Sequence, residues 1–291
     1  MADTPKTQEK SQLIAGVLTI ALAVALLIGT VVCMQRCVAE WPQMSTVATT
    51  DTLGTLPNPS LGPTLAPNPY GPGDFAYQNG HLTCLSGKSL LGVDVSEYQG
   101  QINWQKVADA GVEFAMIRIG FRGWGSQGEI QEDAYAQANL KGAAEAGLKI
   151  GVYFFSQAIT EEEAREEARY VLGVLESVDV DLPVVFDWET VPSEDARTAG
   201  VTGAQLNTYA MAFCGEIAAA GYEPVVYFNL DFSKRMYDLR ALQEAGYGFW
   251  LAMYSDSMTY AHKLTMWQYT SGGSVPGIYG NVDLDLYFTY E

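Results

Sequence analysis

Basic residues are scarce in this chain of 291 amino acids: 16 Lys and Arg stand against 34 Asp and Glu, for a net charge of −18 and a pI near 4.4. A surface of that sign repels phosphate backbones, and no basic stripe interrupts it, so nucleic acid is excluded as a partner. No GxxxxGK[ST] loop is present to cradle nucleotide phosphates. Histidine is limited to His81 and His262, and the four cysteines (33, 37, 84 and 214) include no CxxC pair. No metal-ligand spacing arises, and the chain is read as needing neither metal nor cofactor. Cys84 and Cys214 have two open readings: an oxidising exterior would let them pair, but Cys214 lies in an apolar helical stretch that also suits a buried thiol.

Charge is missing altogether from residues 13–34, LIAGVLTIALAVALLIGTVVCM. As a helix this run is roughly 33 Å long, enough to cross a bilayer. It is longer than a signal-peptide core, and the following MQRCVAEW is a poor cleavage site. The reading is therefore an uncleaved single-pass anchor, with secretion as the outcome if it is clipped. Lys6 and Lys10 precede the run and Arg36 follows it. This bias keeps residues 1–12 in the cytoplasm and sends the remainder outside. Seven of the twelve prolines fall between residues 41 and 73, where Asp51 is the single charge. Residues 35–86 are accordingly expected to form an extended stalk, either giving reach into a cell wall or serving as an inert spacer.

Glycine, aromatic and apolar residues are plentiful, with 48% hydrophobic residues and 29 glycines, so a sizeable core is available. Over residues 87–291, short apolar runs alternate with amphipathic ones. Eight strands are expected: LLGVDVS, FAMIRIG, KIGVYFFS, PVVFDWE, PVVYFN, FWLAMY, LTMWQY and DLDLYFT. Thr160 with Glu163, and Thr202 with Gln205, mark helix starts between them. Strands apolar on both faces belong in a parallel sheet covered by helices. The expectation is an α/β fold, an irregular (β/α)8-type barrel with incomplete helices on the late strands, a doubly wound open sheet being the alternative. A monomer is expected.

Catalytic sites of such barrels lie at the C-terminal strand ends. Asp94 ends the first strand, Asp187 and Glu189 share a face at the end of the fourth, and Asp283 with Asp285 opens the last. Burying unpaired carboxylates is costly, so a fold that gathers them uses them for ion pairing or chemistry. Crowding pushes their pKa values apart, which lets one stay protonated as a general acid beside an ionised neighbour, as cleavage of a glycosidic bond requires. Tyr98, Tyr153, Tyr227, Trp250 and Tyr254 lie at or near the same ends and suit packing against sugar rings. The acidic run at 160–169 reads instead as a solvated helix face with i,i+4 pairs such as Glu161 with Arg165.

The strings GVDVSEYQGQINWQKV, FAMIRIG, PVVFDWE, FWLAMY and MWQYTSGGSVPGIYGNVDLD resemble the glycoside hydrolase family 25 lysozymes, the N-acetylmuramidases, in the same order. The resemblance implies hydrolysis, with retention, of the β-1,4 bond between N-acetylmuramic acid and N-acetylglucosamine in peptidoglycan glycan strands. It implies Glu189 as general acid/base and Asp187 as either nucleophile or orienter of the substrate N-acetyl group. Asp94 and Asp283 match acids that shape the field around the −1 sugar, and Tyr227, Trp250, Tyr254 and Gln268 match groove positions. Two departures stand out: the third strand lacks a histidine after its tyrosine, and Asp285 stands where asparagine is usual. A reading of another class remains, in which the barrel keeps its groove as a non-catalytic, envelope-anchored peptidoglycan-binding module.

Overall fold

Residues 64–290, apart from Glu194, are described by a computed structural model. The apolar run at 13–34 and the stalk up to residue 63 lie outside the described residues. Among the described residues no helix is long and apolar enough to cross a membrane.

Part of the stretch expected as stalk is folded. Strands β1 (Phe75–Gln78) and β2 (His81–Cys84) form an antiparallel hairpin. Its two-residue turn is Asn79-Gly80, both at positive φ (53° and 86°), the backbone that matches strand twist in the tightest hairpins. Phe75, Leu82 and Cys84 bury their side chains in the main core, and their removal from water offsets the entropy that a Pro-rich stalk would have kept. Cys84 and Cys214 are both buried free thiols.

Beyond the hairpin come β3 (Ser89–Val95), β4 (Phe114–Arg122), β5 (Ile130–Glu132), β6 (Lys149–Ser156), β7 (Val184–Trp188), β8 (Pro224–Asn229), β9 (Gly248–Ala252), β10 (Met266–Gly273) and β11 (Val282–Phe288). The order β3-β11-β10-β9-β8-β7-β6-β4, with β3 also paired to β4, closes an eight-stranded barrel, and β5 adds to the β4 edge. Seven barrel strands run parallel; β11 is antiparallel to both neighbours, β10 and β3. The reason is the linker. Residues 274–281 cannot make the dozen-residue crossover that a parallel return needs.

Helices α1 (Trp104–Asp109), α2 (Ala136–Glu145), α3 (Glu161–Leu175), α4 (Gly203–Ala219), α5 (Leu230–Arg235) and α6 (Leu239–Glu244) cover the outside, and residues 253–265 and 274–281 contain no helix. Thr160 and Thr202 cap α3 and α4 as the sequence suggests, and Gln205 completes a capping box on Thr202. Two apolar cores result. One lies between sheet and helices, and a smaller one, built on Phe114, Met116, Val185, Val225 and Met266, fills the barrel. A Cβ on Gly92 would sit 2.2 Å from the Phe114 ring, so that interior position admits nothing larger. Gly123, Gly125 and Gly128 fit the GxGxxG spacing, but they join β4 to antiparallel β5 and open no helix, the wrong setting for a dinucleotide.

Candidate active site

Period-two alternation selects what enters the barrel mouth. Interior positions on β3 are Gly92 then Asp94, on β4 Met116 then Arg118, on β7 Val185 then Asp187, with Glu189 one step past the strand end. Because β11 runs backwards, its first residues arrive at the rim where the parallel strands finish, and Asp283 pairs directly with Asp94. The result is a cleft of about 270 Å³. Asp94, Asp187, Glu189, Asp283, Tyr98, Tyr153, Tyr227, Trp250, Tyr254 and Gln268, every site residue expected from the sequence, line it together. A larger open groove of about 920 Å³ lies between α4, α5 and residues 259–262. It gathers no carboxylate cluster, so the smaller cleft is the candidate active site.

The lining is stratified. Tyr153, Tyr227 and Trp250 form a buried floor, with Trp250 edge-on to both tyrosines at 6.0 and 4.9 Å. Tyr98 and Tyr254 stand at the rim, 81% and 60% exposed. Gln268 is a buried hub: its Oε1 accepts from the hydroxyls of Tyr227 (2.9 Å) and Tyr254 (3.2 Å), which turns its Nε2 to donate to Asp94 Oδ2 at 2.8 Å. Trp188, between the two acids of its strand, faces the helix layer and donates its indole N–H to Ala158 O. The backbone carbonyl of Glu189 accepts from Gln157 Nε2 at 2.6 Å, fixing the chain just past β7.

Arg118 is the charged cleft residue that sequence reasoning missed, with the polar Ser96 and Gln99 beside it in the lining. It lines the cavity, donates to Asp133 at 2.8 Å and Glu97 at 3.1 Å, and its guanidinium lies 5.2 Å from the Tyr98 ring centroid. One signal was available: a lone cation at an interior position of the otherwise apolar string FAMIRIG. His81 and His262 lie outside the cleft lining. Among the described residues no group of three His, Cys, Asp or Glu is placed to hold a metal.

Burial raises every carboxyl here. Asp94 is pushed up to about 8 by desolvation and then by Asp283, against the pull of Gln268. Asp187 rises well above the carboxylate range through desolvation, Glu189 and Asp94, with Arg118 opposing, and its Oδ1 has no hydrogen-bond partner. Glu189 is raised by desolvation and by Asp283, and Asp283 is raised by desolvation to about 6. The cleft therefore holds an acid, Asp94, that keeps its proton at neutral pH beside one, Asp283, that ionises lower.

A barrel mouth with paired acids over an aromatic floor is the architecture of a glycosidase, and residues 93–278 match the family model described as Glycosyl hydrolases family 25. That match covers more than half of the chain: the protein belongs to this family. It is 29% identical over 202 residues to "Lysozyme M1" of Streptomyces globisporus, an alignment covering 67% of this chain and 66% of that protein. In fold it is similar to the bacterial lysozyme of Streptomyces coelicolor, with a TM-score of 0.54, 25% identity, and coverage of 68% and 91%. It is also similar to the modular autolysin LytC of Streptococcus pneumoniae, with a TM-score of 0.62, 22% identity, and coverage of 74% and 52%. LytC has also been solved in complex with a synthetic peptidoglycan ligand. The chain thus spans just under two thirds of the first of these relatives and about half of LytC.

Proposed function

We propose that the protein is a peptidoglycan muramidase that hydrolyses the β-1,4 bond between N-acetylmuramic acid and N-acetylglucosamine with retention of configuration. The observation that carries this reading is the convergence of Asp94, Asp187, Glu189 and Asp283 on one aromatic-floored cleft, in a chain of glycosyl hydrolase family 25. Glu189, whose carboxyl is raised, gives its proton to the leaving glycosidic oxygen and later takes one from the incoming water. Asp187 has an oxygen free of protein partners and supports the oxocarbenium- or oxazolinium-like centre, as orienter of the N-acetyl group, a role open to its raised, protonated form, or as nucleophile once ionised. Asp283, at about 6, supplies negative potential under the −1 sugar, and Asp94, at about 8, shapes the field beside it. Tyr98 and Tyr254 at the rim offer ring faces to flanking sugars, and Tyr153, Tyr227 and Trp250 shape the floor.

The uncharged run at 13–34 and the Lys6, Lys10 and Arg36 flanks support anchoring in the cell membrane with the barrel outside, where the glycan lies. The anchor keeps the catalyst near its own envelope, and clipping would release it. The test is clearing of purified cell walls by the full chain and by Glu189→Gln, with mass spectrometry of the products. Clearing by the parent alone, with muramic acid at new reducing ends, is the expected result. Reducing-end glucosamine would overturn the bond assignment, equal clearing by both chains would remove Glu189 from the mechanism, and binding by the parent without clearing would make the barrel a binding module.

A further inference from the structure

Asp285 is the buried acid that the proposed chemistry leaves unused. It sits on β11 with no exposed surface, opposite Gly92 of β3 and Gln268 of β10. Its Oδ1 accepts the indole N–H of Trp250 at 2.9 Å, and its Oδ2, closed off from solvent, meets no N–H or hydroxyl donor. An ionised carboxylate would leave that second oxygen stranded, at a cost of several kcal/mol. Asp94 is its diagonal neighbour across the β3–β11 pair, where Asp283 faces Asp94 and Asp285 faces the bare Gly92, and the two carboxyls act on each other as hydrogen-bond partners. Two carboxyls can form such a bond only if one of them is protonated.

The surroundings decide which one. Asp94 already accepts the Gln268 amide, a donor that favours its ionised form. Asp285 has only the neutral indole. The titratable groups acting on Asp285 are Asp94 from β3, Asp283 from its own strand and Tyr269 from β10, and none of them is a cation. Burial adds to their effect and raises Asp285 well above the ordinary range, while its bond draws Asp94 downward.

We propose that Asp285 is a positioning residue that acts as a neutral carboxylic acid, its Oδ2–H donating to Asp94 and its Oδ1 accepting from Trp250. Asp94 is then held by two donors, Gln268 and Asp285, which fix its rotamer and pull its carboxyl down from where burial alone would put it. An amide has the same shape and can make the same two bonds, donating through N–H and accepting through its oxygen. A leucine has the volume and makes neither. The catalytic consequence rests on the muramidase reading; the protonation state does not.

Two measurements on the full chain test this. In carbon-13 NMR with labelled Asp carboxyls, the resonance that disappears in Asp285→Asn is that of a carboxyl still protonated at pH 7 in the parent. In wall-clearing kinetics, Asp285→Leu lowers kcat roughly tenfold or more with little change in KM, and Asp285→Asn restores most of the rate. Titration of Asp285 below pH 5 would overturn the proposal, and so would equal kinetic losses in the Asn and Leu variants. If the Leu variant fails to fold, the titration and the Asn rescue still decide. If the parent clears no walls, the NMR result stands and only the muramidase reading fails.

Discussion

Glu167 and Asp187 are both buried carboxyls on one barrel, yet their surroundings differ. Glu167 meets Arg122 Nε at 2.6 Å and the Ser156 hydroxyl at 2.6 Å, and Arg122 also reaches Glu166 and the carbonyls of Gly128 and Glu163. Desolvation raises Glu167, its partners pull it back, and it comes to rest at about 7. Asp187 has no such direct partner and rises well above the usual range. The first set ties α3 to β4 and β6. The second stores unfavourable free energy at the mouth, where a substrate with a developing positive charge would relieve it.

The largest expected effect belongs to the unpaired set. Glu189→Gln should lower the rate of wall hydrolysis by roughly 10²–10⁴-fold, read as release of reducing ends, with the fold intact by circular dichroism. Breaking the paired set should do the reverse. Arg122→Met leaves Glu167 buried without its cation and should cost about 3–5 kcal/mol in urea denaturation, while the rate per folded molecule holds.

A smaller effect is the pH dependence of stability. Asp94 and Asp283 have folded pKa values of about 8 and about 6 against an ordinary 3.8, so between about pH 4 and 8 the native state binds more protons than the unfolded chain. Their stabilising contribution is complete below pH 4 and is lost as pH rises toward 8. The urea midpoint should therefore be lower at pH 8 than at pH 5, and Asp94→Asn should flatten that slope. Least affected should be the exposed pair of Asp231 and Arg235, 2.8 Å apart: Asp231→Asn should shift stability by about 0–1 kcal/mol.

Much of this was legible in the chain because strands in a helix-covered barrel announce themselves by apolar faces, and acids at their ends have few other reasons to be there. Asp187 and Glu189 share a face by simple alternation. Arg118 was harder: its partners Glu97 and Asp133 lie 21 and 15 residues away in sequence, on a single 3-10 turn and a loop that no periodic pattern marks. The Asn79-Gly80 hairpin carries a strong turn signal, but the proline-rich composition just before it drew the whole stretch into the stalk. The reversal of β11 follows from its short linker, which the sequence displays. Its structural result, Asp283 delivered beside Asp94, requires knowing which strand closes the ring.

That closure also sets a timetable. β11 is hydrogen-bonded to β3, nearly two hundred residues earlier, and it brings Asp283 and Asp285 with it. On the ribosome, a nascent chain that has emerged only as far as β10 has an unsealed sheet and a wall missing both acids. The proposed site cannot assemble before residue 288 emerges, so a chain paused ahead of β11 carries Asp94, Asp187 and Glu189 with no fourth acid to complete them.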